Sequence, residues 1–253
     1  MSLQMLALVI TVAFVPSLAY MVIVRNTERY QREPWRAVMK SFLWGATFAI
    51  LISLIVEILL TYFYTQSLEL FRGYEFIANH KESIDAIMLA GVIAPLVEEA
   101  AKSYGIITSK AYIDEVEDGF VYGASSGFGF AATENLLYEI SALLSGGVVA
   151  WAIVAFVRSI ASALLHGSAT AMTGYGYSSN KVAGKGSILH GYGVAVLMHS
   201  SFNIIASVPI FLAGFKNPLV YAVPLLIAII YGTLAFKYIR ERIRYYDRHP
   251  PRR

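Results

Sequence analysis

Six residues in this sequence pair reactive side chains with helical spacing: Glu98, Glu99, Glu134, His166, His199 and Asn203. All lie within otherwise apolar stretches. A charged group near a bilayer midplane costs about 2.5 to 3.5 kcal/mol on insertion scales, so each needs a partner or a watery cavity. Glu98 and Lys102 stand one helical turn apart, with Glu99 beside them and Pro95 just before. Phe130 and Glu134 repeat that spacing, followed by Asn135. Arg158, Ser162, His166 and Thr170 form one polar stripe, and His199, Asn203 and Ser207 another. If these four faces meet, two imidazoles and several carboxylates come together. Those are nitrogen and oxygen ligands that zinc accepts, with a position left for water and a glutamate to take its proton. The plainer alternatives are an ion pair for Glu98 and Lys102 and an interhelical hydrogen bond for a single histidine. Five costly groups beside one another favour a common purpose. Glu57, with Ser53 and Thr61 on its face, reads as structural or cavity-lining, and His190 as interfacial.

The elements that must carry these residues are membrane helices. Of 253 residues, 57% are hydrophobic and only 15% charged, and the mean hydropathy is +0.58. A soluble domain has about 25% charged residues. The apolar residues come in blocks long enough to cross a hydrocarbon core of roughly 30 Å. Hydropathy places about seven spans near 3–24, 40–65, 86–108, 120–142, 148–176, 188–213 and 218–238. The fifth is long for one crossing, and Gly146-Gly147 could open it with a re-entrant piece. Gly119, Gly123 and Gly127 form a smooth ridge on the fourth, which lets another helix approach closely. With the N-terminus outside and the C-terminus inside, fifteen Lys and Arg fall in the cytoplasm and three outside, leaving Lys102 and Arg158 within spans. The block Leu3 to Val24 is followed, not preceded, by positive charge and is expected to remain as an anchor.

The reading is therefore an all-α, polytopic, multi-pass protein of a prokaryotic plasma membrane. Residues 1–253 form one domain, with its active helices over about 86–213. The absence of cysteine removes thiol nucleophiles, Cys-bound zinc and disulfides. The net charge of +3 comes from basic residues that orient the spans, so nucleic acid is not an expected partner.

Glu98-Glu99-x-x-Lys102, Phe130-x-x-x-Glu134-Asn135, His166 and His199-x-x-x-Asn203 occur in this order. The set resembles the PrsW family of intramembrane proteases, related to CAAX-processing proteases and their bacteriocin-processing relatives. The resemblance covers about 91–203 and matches motifs of the form EExxK, FxxxE and HxxxN. It implies a multi-helix fold, a watery site within the membrane, a divalent metal with zinc foremost, and cleavage of a membrane-anchored protein such as an anti-sigma factor. CAAX-type relatives carry histidine where Glu134 stands. On this reading His166 and His199, with Glu134 or Glu99, hold the metal. Glu98 is the general base, with Glu99 also counted as catalytic. Asn203 orients His199, joins the ligands or steadies the oxyanion. Lys102, Phe130, Asn135 and Arg158 support them.

Three rivals remain. Gly123-Ala-Ser125-Ser-Gly127 with His199 fits a rhomboid-like serine protease, but leaves the glutamates and His166 without a role. A proton or cation transporter uses similar buried groups, though no internal repeat supports one. A scaffold could keep them for packing. Asp85, Asp114, Asp118 and Asp247 lie at loops or span ends, unsuited to an intramembrane aspartyl pair.

Overall fold

The computed structural model describes residues 2–71, 73–212 and 219–250. Among them there are helices and no strands. The order is α1 (Leu3–Arg25), α2 (Trp35–Trp44), α3 (Ile50–Glu69), α4 (Glu75–Asn79), α5 (Lys81–Met88), α6 (Ala94–Thr108), α7 (Val116–Val157), α8 (Ala163–Ala183), α9 (Ile188–Phe211) and α10 (Leu219–Arg248). Three five-residue π-helical turns, Gly45–Ala49, Leu89–Ile93 and Arg158–Ser162, join α2 to α3, α5 to α6 and α7 to α8.

Among the described residues, five helical stretches are long and apolar enough to cross a bilayer: Leu3–Arg25, Trp35–Glu69, Val116–Ala183, Ile188–Pro209 and Ala222–Arg248. The sequence reading of about seven differs for two physical reasons. The 68-residue stretch Val116–Ala183 is two helical passes, because Gly147 turns to φ 72° and ψ −166° and breaks the helix. Without a Cβ, glycine reaches that conformation at little cost. The stretch 81–108 holds Glu98, Glu99 and Lys102, so its composition is too charged for a purely apolar count. From 148 to 183 the chain is helical through the Arg158–Ser162 turn, with no re-entrant segment. At 1.5 Å per residue that run spans about 54 Å, well beyond a core of roughly 30 Å.

The first half of α7 is the centre of the bundle, with nearly every residue from Val116 to Ala132 buried. A helix that is apolar all round belongs inside its neighbours. Its Phe120, Val121, Tyr122, Ala124 and Phe128 pack with Met21 and Val24 of α1, Val38 and Phe42 of α2, and Ile239 and Ile243 of α10. The periphery is apolar too: Ile55, Ile58, Leu59 and Phe63 of α3 are more than half exposed, as befits a face turned to lipid.

The glycine ridge does what its spacing suggests. A methyl group on Gly119, Gly123 or Gly127 would overlap the backbone of Gly174, Thr170 or His166 on α8. On other sides of α7, Gly129 lies against the Phe42 carbonyl, and Gly45 against that of Ser126. These backbone contacts bring α8 and its histidine close to α7.

Candidate active site

The polar faces of α6, α7, α8 and α9 do converge. Pro95 at the start of α6 cannot donate a backbone hydrogen bond, and the preceding turn is π-helical. Beyond it, α6 presents Glu98, Glu99 and Lys102, all buried. His166 comes from α8 and His199 from α9, their rings 4.6 Å apart and nearly perpendicular.

Each imidazole has one nitrogen held by a carboxylate. His166 Nε2 lies 2.9 Å from Glu134 Oε2, and His199 Nδ1 lies 3.1 Å from Glu99 Oε1. Each turns its other nitrogen toward Glu98. His166 Nδ1 and His199 Nε2 both stand 3.9 Å from Glu98 Oε2. Ligand atoms of Glu98, His166 and His199 all lie within 4.8 Å of one another, a spacing that could hold a metal ion. The holding carboxylates are themselves held: Thr170 donates to Glu99 Oε2 at 2.8 Å, and Arg158 Nη2 to Glu134 Oε2 at 2.6 Å.

Lys102 already places a positive charge in this group. Its Nζ lies 2.8 Å from Glu98 Oε2, 3.0 Å from Glu99 Oε1 and 2.7 Å from His166 Nδ1, with the Phe130 ring centre 3.9 Å away. The donor set therefore accommodates a cation, and its mix of imidazole nitrogen and carboxylate oxygen suits a borderline metal such as zinc.

The remaining residues form an outer layer. Asn135 Oδ1 accepts from Arg158 Nε at 2.9 Å, and the guanidinium lies over the Tyr138 ring. Tyr138 escaped the sequence reading, although it follows Glu134 by one turn. Asn203 Nδ2 donates to the Ala90 carbonyl at 2.8 Å, inside the Leu89–Ile93 turn, and no hydrogen bond joins it to His199. A cavity of about 490 Å³ opens onto Glu98, Glu134, His166 and Asn203, with Ser53 and Glu57 on its far wall. Arg158 and Ser162 of one π turn and Leu89 and Ala90 of another also line it. Such turns recur at functional sites because they re-aim side chains along a helix. A larger cleft of about 740 Å³ near Trp35 and Thr108 is apolar and carries none of these residues. His190 is exposed in the first turn of α9.

Residues 33–230 match the family described as PrsW family intramembrane metalloprotease. The chain belongs to the PrsW family. Two curated proteins called Protease PrsW are similar to it. That of Clostridioides difficile (strain 630) is 25% identical over 245 residues, covering 94% of this chain and 90% of the relative. That of Bacillus subtilis (strain 168) is 25% identical over 229 residues, with 87% and 89% covered. No solved structure matches. This PrsW-family chain is thus a peptidase and a multi-pass membrane protein, and its family's chemistry calls for a divalent metal. The serine-protease reading is not favoured. Ser125 is fully buried and donates to the Val121 carbonyl of its own helix at 2.7 Å, while the polar contacts of His199 run to glutamates.

Proposed function

We propose that this protein hydrolyses a peptide bond of a membrane-anchored protein at the Glu98, His166 and His199 group, in a bacterial plasma membrane, with residues 1–253 acting as one unit. The observation that carries the proposal is the paired orientation of the imidazoles: each has a carboxylate behind it and its other nitrogen 3.9 Å from Glu98 Oε2, with Lys102 Nζ also bonded to His166 Nδ1. A histidine whose second nitrogen is fixed by a carboxylate is the usual arrangement behind a bound metal. We therefore assign His166 and His199, in preference to Glu134 or Glu99, as the residues that would hold a zinc ion, with Glu98 beside them as the base. Such an ion, when bound, polarises a water or a peptide carbonyl.

The protein's own groups do the rest. Glu99 and Glu134 fix the tautomers of His199 and His166 by accepting from Nδ1 and Nε2 respectively. Arg158 and Thr170 hold those two carboxylates in place. Glu98 has Lys102 as its hydrogen-bond partner on Oε2, and its other oxygen accepts the proton of the attacking water and returns it to the leaving amine. Lys102, over the Phe130 ring, balances the carboxylates within the apolar bundle. Asn203, at the cavity wall, offers its amide to the substrate backbone or the developing oxyanion. The cavity admits a locally unwound stretch of substrate, since helical carbonyls are already bonded and shielded.

Metal content by mass spectrometry tests the ligand set. About one zinc per wild-type chain, lost in His166→Ala and His199→Ala, is the expected result. Metal retained in both variants would refute it. Cleavage of a membrane-anchored reporter in proteoliposomes, absent with Glu98→Gln, tests the activity itself.

A further inference from the structure

A second group of acids lies away from the cavity, where α1 ends, α7 begins and α10 ends. Glu28 and Glu33 belong to the α1–α2 connection and Asp118 to the first turn of α7, and all three are at most 3% exposed. One carboxylate oxygen from each can be chosen so that all lie within 4.8 Å of one another. The remaining hydrogen bonds fix the three side chains in place. Glu28 Oε2 accepts from the Glu33 backbone N–H at 3.1 Å, Tyr122 donates to Glu33 Oε2, and Asp118 Oδ2 accepts from the N–H groups of Asp114 and Glu115.

Nearby arginines do not neutralise these carboxylates. Arg25 Nε donates to the backbone carbonyl of Glu33 at 2.7 Å and Arg32 Nε to that of Glu28 at 2.8 Å. Both guanidinium groups thus hold the peptide chain and leave its carboxylates bare. Among the described residues no salt bridge reaches Glu28, Glu33, Glu117, Asp118 or Asp247. Independently of the cluster's geometry, Glu28 Oε1 is buried with no hydrogen-bond partner, and so are both carboxylate oxygens of Glu117, a residue only 1% exposed. Asp247 adds a further carboxylate by accepting from the backbone of Arg29 and Tyr30. Buried carboxylates without countercharge are costly unless they are protonated or bind a cation.

We propose that Glu28, Glu33 and Asp118 form a second cation site, distinct from the intramembrane one, which takes a hard divalent ion such as Mg²⁺ or Ca²⁺ and pins the α1–α2 connection to the start of α7. The donors are all oxygen, with no imidazole or thiolate, and this selects hard cations over zinc. The bare Glu28 Oε1 leaves the group a further acceptor of its own. The site is structural: it ties three chain segments together at the end of the bundle expected to face the cytoplasm. It owes nothing to the protease reading.

The test uses the full-length protein in detergent with His166→Ala to disable the intramembrane site, stripped by chelator and titrated with Mn²⁺. Free Mn²⁺ is followed by electron paramagnetic resonance. About one Mn²⁺ should bind per chain, be released by excess Mg²⁺ or Ca²⁺, and bind roughly tenfold or more weakly in Glu28→Gln and Asp118→Asn. Both replacements keep the local hydrogen-bond acceptors. Binding that is equal in all three proteins, or absent at millimolar Mn²⁺, overturns the proposal, the latter leaving protons to neutralise the acids. Should Asp118→Asn not fold, Glu28→Gln alone decides. A parallel melt of chelator-stripped protein with His166 intact should show Mg²⁺ raising the unfolding temperature of the otherwise wild-type chain and not of Glu28→Gln. Equal shifts would also refute the site.

Discussion

In the middle of the bundle, buried Glu98 and Glu99 and half-buried Glu134 stand with Lys102, Arg158 and two histidines, all within hydrogen-bonding distance of one or more of the carboxylates or of one another. At the bundle's end, Glu28, Glu33, Glu117 and Asp118 are buried just as deeply, yet the arginines beside them bond to backbone. The central group is matched by fixed cations and aimed at a cavity. The peripheral group is held by backbone N–H groups and a tyrosine, with oxygens to spare. A buried acid does not by itself mark a reaction centre; what its partners do with its charge tells the two apart.

The largest expected effect is in the centre. Glu98→Gln should lower cleavage of an anchored substrate by about 10²–10⁴-fold, the range for removing a general base, while melting temperature stays near wild type. A fully active variant would remove the proposed role of Glu98. Lys102→Met should destabilise the metal-free protein by about 3–5 kcal/mol, because it strips the cation shared by Glu98 and Glu99. Denaturant unfolding measures this, and an unchanged midpoint would mean that the central acids need no fixed countercharge. Gly127→Val should cost about 1–3 kcal/mol by driving α7 off the His166 backbone, and should reduce activity further by displacing that imidazole.

The peripheral group should respond to pH instead. Burial raises Glu28 to about 9, with the Asp118 charge adding to the effect, and burial raises Glu33 to about 7, both from 4.5. In the absence of divalent ions the folded chain therefore holds protons that the unfolded chain has released, and stability should fall as pH rises from about 5 to 9. Thermal melts across that range check the sign, and Glu28→Gln should flatten the slope. The smallest effect is expected from Ser125→Ala, with activity within about twofold of wild type. A loss like that of Glu98→Gln would restore the serine reading.

Much of the centre was legible because the membrane makes polar residues conspicuous. Glu98, Lys102, Glu134, His166 and His199 stand out against apolar neighbours, and their four-residue spacing gives each helix a polar face. Glu57 reads equally well as cavity-lining, and the cavity wall is where it lies. The roles of the three glutamates were not legible, since sequence spacing cannot say which carboxylate faces which ring nitrogen. The peripheral group was missed altogether. Glu28 and Glu33 sit among Arg25, Arg29, Arg32 and Arg36, a pattern that reads as a solvated charged loop.

Composition and periodicity alone thus determined an all-helical, multi-pass protein, the helices that carry reactive groups, and the glycine ridge that allows α7 and α8 to touch. These follow from local chemistry, because a bilayer forces the backbone into helices and penalises every charge it meets. Tertiary structure alone decided that Glu98 faces both histidines, that Glu99 and Glu134 stand behind them, and that Arg25 and Arg32 bond to carbonyls and not to carboxylates. Those contacts join residues far apart in the chain, 100 positions for Glu99 and His199. They depend on how the helices are rotated against one another, which backbone contact at residues such as Gly123 and Gly127 sets and no single helix encodes.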